Sequence, residues 1–185
     1  IEPEVVGVHS SVADELPDSA FFVRNGKRVN AAGRYQLDFR SRVVTERMDA
    51  VIHRLITDYG LGYLKFDYNI NAGIGTDLFA TSAGNGLLEH NRAFLAWIDV
   101  LFERYPGLVI EACASGGGRA DCATLRRHSI LSVSDQTDHL RSVAIVAAAS
   151  TAITPEQAGM WVYPQPEFSA DEFDLSIVNG MLGRP

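Results

Sequence analysis

Short apolar segments that end in polar side chains alternate with helix-forming stretches, and this alternation constrains the fold more than any other feature of the chain. Leu61-Gly-Tyr-Leu-Lys-Phe-Asp67 is apolar until its end, where Lys65 and Asp67 alternate outward from Phe66. It follows a helix predicted from about Ser41 to Tyr59, with Val44, Met48, Val51, Ile52, Leu55 and Ile56 on one face and Gly60 as the stop. A second helix is predicted from Leu87 to about Tyr105, burying Leu88, Phe94, Leu95, Ile98, Leu101 and Phe102 and closing at Pro106-Gly107. The strand Leu108 to Cys113 leads into the turn Ser115-Gly-Gly-Gly118. A weaker helix from Cys122 to Arg127, a strand from Ser129 to Ser134, a helix from Asp138 through Ala149 and a last helix from about Ala170 to Leu182 complete the pattern. Strands alternating with helices imply an α/β fold with a parallel sheet.

Polar residues fall where such a sheet would use them. Glu2 and Glu4, Lys65 and Asp67, Glu111 and Cys113, and Ser134 and Asp135 lie at or just past the carboxyl ends of successive predicted strands. In a (β/α) barrel that end carries the active site, although a doubly wound sheet also gathers residues there. Periodicity leaves the two folds open.

Composition removes several classes of function. The 185 residues are 46% hydrophobic, enough for a core of single-domain size, and the formal charge of −7 with scattered Lys and Arg leaves no basic stripe for nucleic acid or an anionic membrane face. No apolar run reaches the roughly 18–20 residues of a membrane span. Cys113 and Cys122 form no CxxC pair, which fits a reducing compartment and a cytoplasmic location. His9, His53, His90, His128 and His139 show neither HxH nor HExxH spacing, so neither a metal nor another cofactor is expected. The chain opens on Ile1 and stops at Pro185 just after a helical pattern, and it reads as a fragment of a longer protein.

Paired carboxylates on neighbouring strands suit glycoside cleavage, in which one carboxylate attacks the anomeric carbon while the other protonates the leaving oxygen. Asp67 and Asp135 form the candidate pair; the alternative makes Asp67 a loop cap and Asp135 a turn residue. Lys65 points to the same side as Asp67 and would keep it ionised or donate to a sugar hydroxyl, unless it serves only in a surface salt bridge. Asp138 is placed to cap the following helix and is assigned to structure. Gly116-Gly117-Gly118-Arg119 reads either as a phosphate cradle or as a tight turn that lets the chain approach a ligand or another strand closely. It matches neither the P-loop nor the dinucleotide fingerprint. Trp161 and Tyr163 either stack on a sugar ring or simply pack.

Five segments resemble the melibiase-type microbial α-galactosidases, which share a clan with the raffinose synthases: Ile1-Glu-Pro-Glu4, Gly33-Arg34-Tyr-Gln36-Leu-Asp38, Tyr63-Leu-Lys65-Phe-Asp67-Tyr-Asn69, Cys113-Ala-Ser-Gly-Gly-Gly-Arg119-Ala-Asp121 and Ser134-Asp135-Gln-Thr-Asp138. The resemblance implies part of a (β/α)8 TIM-type barrel, roughly strands 3 to 7 or 8. The amino-terminal β domain and first barrel strands would lie outside residues 1–185. It implies a retaining glycoside hydrolase of α-galactoside oligosaccharides with Asp67 as nucleophile and Asp135 as general acid/base, their carboxyl groups about 5–5.5 Å apart. Arg34, Lys65, Asn69, Cys113 and Ser115 or Gly116 would contact the galactose, and the parent would be a homo-oligomer. Phe66, Tyr68, Ile70 and Ser132 depart from the family pattern, the last standing where the family often places a Trp. Within the same chemistry, a raffinose-synthase-like transglycosylase or a hydrolase of another α-linked sugar remains open; outside it, a phosphate-binding lyase or isomerase, or a non-catalytic carbohydrate-binding barrel. By this reading the isolated chain turns over α-galactosides far more slowly than its full-length parent, and a matching rate in a side-by-side hydrolysis assay would refute it.

Overall fold

Two polar-capped helices and a set of very short strands organise the first part of the chain. The computed structural model describes all 185 residues and divides into two compact units, Glu2–Gly62 with Tyr68–Leu108, and Ile1 with Tyr63–Asp67 and Val109–Pro185. In the former, β1 (Val5–Gly7), β4 (Asn30–Ala31) and β5 (Arg34–Gln36) form an antiparallel sheet in the order β1-β5-β4, and β2 (Val23–Arg24) pairs with β3 (Lys27–Arg28). Both tight hairpins turn on two consecutive residues of positive φ, Asn25-Gly26 at 51° and 73° and Ala32-Gly33 at 51° and 75°, as a twist-matched hairpin requires. A short helix α1 (Ser11–Glu15) is capped by the Ser10 hydroxyl.

Helix α2 (Arg42–Thr57) lies where the apolar pattern places it, but only Val44 and Ile52 are fully buried, while Val51 is exposed. Helix α3 (Ala83–Arg104) starts four residues before the predicted Leu87, because the Ser82 hydroxyl accepts the Asn85 amide and nucleates the first turn despite Gly84 and Gly86. Its Phe94, Trp97, Ile98 and Leu101 are buried, whereas Leu88, expected inside, is exposed. Phe39 meets Phe94 and Trp97 with ring centroids 5.0 Å away in each case, and the Trp97 indole donates to Asp49 at 2.8 Å, tying α3 to α2.

A polar knot is buried in this unit. The Phe39 amide donates to His90 Nδ1 at 3.1 Å, which puts the ring proton on Nε2, 3.1 Å from the Glu4 carboxylate. Beside it the Arg40 guanidinium grips Asp38 through Nε and Nη2 and reaches the carbonyls of Leu78 and Phe79. The expectation that Glu4 ends a strand at the site is corrected here: it precedes β1 and is 2% exposed against His90.

The other unit is built on four parallel strands, β6 (Tyr63–Phe66), β7 (Val109–Ala112), β8 (Ile130–Ser132) and β9 (Ala158–Gly159), in the order β6-β7-β8-β9. Strictly sequential order is barrel order; a doubly wound sheet reverses at a switch point. Ile1 lies along the outer edge of β6, donating to Lys65 O and accepting from the Asp67 amide at 2.8 Å each. Arg184 bridges Gly159 on the opposite edge. The chain therefore presents six neighbouring positions of one parallel sheet, the partial barrel expected. Helices α4 (Cys122–Leu125), α5 (His139–Ala149) and α6 (Ala170–Met181) connect them, and Ala112, Leu131, Val146, Ala149, Ile153, Ala158 and Met160 form the core. Two-residue β9 carries no apolar run, and the sequence points only to a possible strand end near Trp161 and Tyr163. No helix is long and apolar enough to cross a membrane.

The Asp38 knot makes stability depend on acid. Burial raises the Asp38 pKa, but the Arg40 guanidinium, which donates to both carboxylate oxygens, outweighs it and holds the carboxyl below its ordinary value. A lowered pKa contributes stability that is complete above the unfolded value near 3.8 and is lost as pH falls through the folded value. Asp38→Asn should cost roughly 2–4 kcal/mol near neutrality and less as pH falls below that value, measured by urea denaturation across pH.

Candidate functional site

Strand alternation sends Leu64 and Phe66 of β6 and Ile110 and Ala112 of β7 into buried positions, and Tyr63, Lys65 and Glu111 to the opposite face. The parallel register pairs Lys65 with Glu111. The Lys65 ammonium lies 3.1 Å from Glu111 Oε1 and 4.5 Å from the centre of the Trp161 ring. The Tyr63 hydroxyl donates to the other oxygen, Oε2, at 2.5 Å. Desolvation pulls the Lys65 pKa down, but Glu111 outweighs it, with smaller contributions from Cys113 and Asp67, so the ammonium is held charged. Partial burial and the Glu111 carboxylate push Tyr63 up to about 12, leaving it a hydroxyl donor at neutral pH.

Asp67 follows β6 and is half-buried, its carboxylate accepting from the Ser115 amide at 3.4 Å and from the Cys113 thiol. Burial raises the Cys113 pKa and the neighbouring Asp67 adds to this, against the opposing influence of the Gly116 amide and the nearby Ser132 hydroxyl, so sulfur remains a protonated donor. Lys65 thus has Glu111 as its direct partner and influences Asp67 only through space.

The Gly-rich segment decides where Asp135 lies. Ser115 and Gly116 adopt left-handed φ of 48° and 80°, and the Ala114 amide donates across the turn to Gly116 O. A Cβ on Gly116 would stand 2.9 Å from Ser134 Cα and 3.1 Å from the Asp135 nitrogen, and one on Gly117 would stand 2.7 Å from Val133 O. The glycines therefore admit another backbone, the second of the two alternatives, and they bring Asp135 against the turn whose preceding residue holds Asp67. Asp135 itself is exposed. Beyond it, the Ser134 hydroxyl accepts the Gln136 amide, the Gln136 side chain accepts the Asp138 amide, and Asp138 caps α5 through the Leu140 and Arg141 amides, the structural role expected of it. Asp121, at the end of the glycine motif, caps α4 in the same way.

The other two predicted contacts meet in their own unit. Arg34 Nη1 donates to the Asn69 carbonyl at 3.1 Å, Asn69 Nδ2 donates to Glu2 Oε1 at 2.7 Å, and Arg34 Nε lies 3.5 Å from Glu2 Oε2, closing a triad around a carboxylate. Asp67, Asp135, Lys65, Cys113, Ser115 and Gly116 are thus gathered in one unit, and Arg34 with Asn69 in the other. Glu111 and Glu2 are visible in the sequence as strand-end acids and Trp161 as a ring that could stack or pack, but their partnerships with Lys65, Tyr63, Arg34 and Asn69 are set by the register and the fold. Ser132 is buried, and with Tyr63, Glu111 and Trp161 it lines a cavity of about 360 Å³. Trp161 packs on Tyr163 with centroids 5.6 Å apart. No group of three or more His, Cys, Asp and Glu side chains is arranged to hold a metal.

A parallel, sequentially ordered sheet with carboxylates at its carboxyl end defines a (β/α)-barrel protein. The Melibiase family model matches residues 1–173, and the chain belongs to that family. It is 30% identical over 159 residues to alpha-galactosidase C of Emericella nidulans, covering 86% of this chain and 20% of that protein. The galactosidase domain of the alpha-galactosidase-sucrose kinase AgaSK superposes with a TM-score of 0.84 at 26% identity, covering 99% of this chain and 25% of that one. The GH36 alpha-galactosidase AgaA from Geobacillus stearothermophilus shares the fold with a TM-score of 0.85 at 22% identity, covering 99% and 26%. The chain thus spans about a fifth of the length of the curated relative.

Adding a methyl group at Gly116 tests the packing that positions Asp135. Gly116→Ala should cost about 1–3 kcal/mol in urea denaturation, from the left-handed φ and the backbone it displaces. Gly7→Ala, whose added Cβ meets nothing within 4 Å, should change stability by under about 0.5 kcal/mol.

Proposed function

We propose that this chain supplies the catalytic part of a larger barrel that hydrolyses terminal α-linked galactose from oligosaccharides, with retention of configuration. The observation that carries the reading is the Ala114–Gly117 turn: the Ser115 amide donates to Asp67 while Gly116 abuts the backbone at Ser134 and Asp135, so one turn meets the Asp67 carboxylate and the main chain that carries Asp135. The family and the names of the relatives supply the sugar.

Asp67 accepts from an amide and a thiol, which direct one face of its carboxylate. It attacks the anomeric carbon while Asp135, exposed and able to exchange protons with solvent, protonates the departing glycosidic oxygen. The bond to the aglycone breaks as the Asp67 ester forms. Asp135, now ionised, takes a proton from water, whose oxygen attacks the anomeric carbon and releases Asp67. Lys65 donates to a galactose hydroxyl, with Cys113 and the Ser115-Gly116 turn lining the same pocket. Both cysteines are free, which supports a reducing compartment and a cytoplasmic site of action.

The test is hydrolysis of an aryl α-galactoside by the full-length protein and its variants. Asp67→Asn should lower kcat by about 10³-fold or more, and Asp135→Asn should lower it strongly for substrates with poor leaving groups and less for an activated aryl group. Proton NMR should show α-galactose as the first product; β-galactose formed first would overturn retention.

A further inference from the structure

The family assignment does not account for why Lys65 is held from two sides. Its ammonium contacts the Glu111 carboxylate at 3.1 Å and lies 4.5 Å from the Trp161 ring centre, and the second Glu111 oxygen is taken by the Tyr63 hydroxyl. The Glu111 side chain is 13% exposed and that of Lys65 28% exposed. A flexible four-carbon stem carrying a point charge has several rotamers open to it. A carboxylate bonded on both oxygens and an aromatic face restrict that choice, which lowers the entropy lost when the ammonium engages a ligand.

We propose that Glu111 is a positioning residue of this site: locked by Tyr63, it fixes the Lys65 ammonium, together with the Trp161 ring, in the place and charge state from which it donates to a sugar hydroxyl. Glu111 touches no reacting atom. It acts through Lys65, and the role follows from the register that sets the two side by side. The inference rests on the galactosidase reading for its substrate, but the arrangement itself is local to β6, β7 and the segment after β9. The carboxylate also favours the charged lysine, in the direction opposite to desolvation.

The experiment uses the full-length protein carrying Glu111→Gln, with Glu111→Asp and Tyr63→Phe alongside, each checked for native folding by circular dichroism. Glu111→Gln keeps the shape and removes the charge. KM for an aryl α-galactoside should rise about tenfold or more, with kcat falling less, and the alkaline limb of kcat/KM should move to lower pH as Lys65 loses its proton more readily. Glu111→Asp should recover part of the alkaline shift because its charge returns. Tyr63→Phe, the milder change should Glu111→Gln fail to fold, should raise KM in the same direction by a smaller factor.

Independently of any substrate, acetic anhydride labelling followed by mass spectrometry should show Lys65 reacting at lower pH in Glu111→Gln than in the unaltered protein. Unchanged KM and pH profile in both Glu111→Gln and Tyr63→Phe overturn the proposal, as does a labelling shift with unchanged kinetics. If the protein hydrolyses no α-galactoside, the galactosidase reading fails by itself. Lys65 labelling then decides the local arrangement, and identical profiles in Glu111→Gln and the unaltered protein overturn it.

Discussion

The parallel ladder between β6 and β7 is the constraint on which the rest of the site depends. Backbone hydrogen bonds fix Lys65 opposite Glu111, and the two-residue period of a strand sends Leu64, Phe66, Ile110 and Ala112 into buried positions and leaves Tyr63, Lys65 and Glu111 on the other face. A slip of one residue would exchange the two sets, burying a lysine and a carboxylate and exposing the core. At 3.1 Å the pair attracts with about 5 kcal/mol at an effective dielectric of 20, and desolvation of two ions costs a comparable amount. The net contribution to stability is therefore small. Its value lies in where it leaves the ammonium, and the ordinary hydrophobic burial of neighbouring residues holds the register.

A second constraint acts through backbone alone. At Gly116 and Gly117 the distances a Cβ would have to Ser134 and Val133 fall below 3.0 Å, so the turn and the segment after β8 meet main chain to main chain. A position set by such contacts is placed by main chain rather than by a choice of side-chain rotamer, so the glycines place the backbone at Ser134 and Asp135. The capping chain from Ser134 through Gln136 to Asp138 extends the same logic into α5: each polar side chain satisfies an amide that would otherwise be orphaned. Asp135 is thus held between a glycine contact before it and a helix cap after it.

What was legible in the sequence follows from where periodicity is strong. β6 and β7 are continuous apolar runs ending in polar residues, α2 has a clear stripe, and Asp138 is a capping residue immediately before a helical pattern; all three were readable. β9 was legible only as a possible strand end near Trp161, because Ala158-Gly159 joins the sheet through backbone bonds with β8 and Arg184 and carries no pattern of its own. The start of α3 was hidden by Gly84 and Gly86, whose low helix propensity is overridden by the Ser82 cap and by close packing of Gly86 on the Thr76 carbonyl. The antiparallel strands of the first unit are two or three residues long, but Asn25-Gly26 between Val23-Arg24 and Lys27-Arg28 was an available hairpin signal. Glu2, 67 residues from Asn69, could be linked to it only by the fold.

Charge pairing in the two groups bears on the ligand. Lys65 is committed to Glu111, Arg34 to Glu2, and Arg40 to Asp38, each cation facing a carboxylate at 3.5 Å or less. Neutralised guanidinium and ammonium groups keep their N–H donors but lose most of the field that draws an anion, since the paired carboxylate cancels it within a few ångströms. A phosphate ligand would have to compete with those carboxylates and approach their negative charge. A neutral sugar hydroxyl does neither, and it gains a charge-assisted hydrogen bond from a donor already oriented. The glycine turn points the same way: its glycines are spent on contact with the β8 segment, where an anion cradle would leave several amides open. Each paired cation thus offers oriented N–H donors with little net positive field of its own.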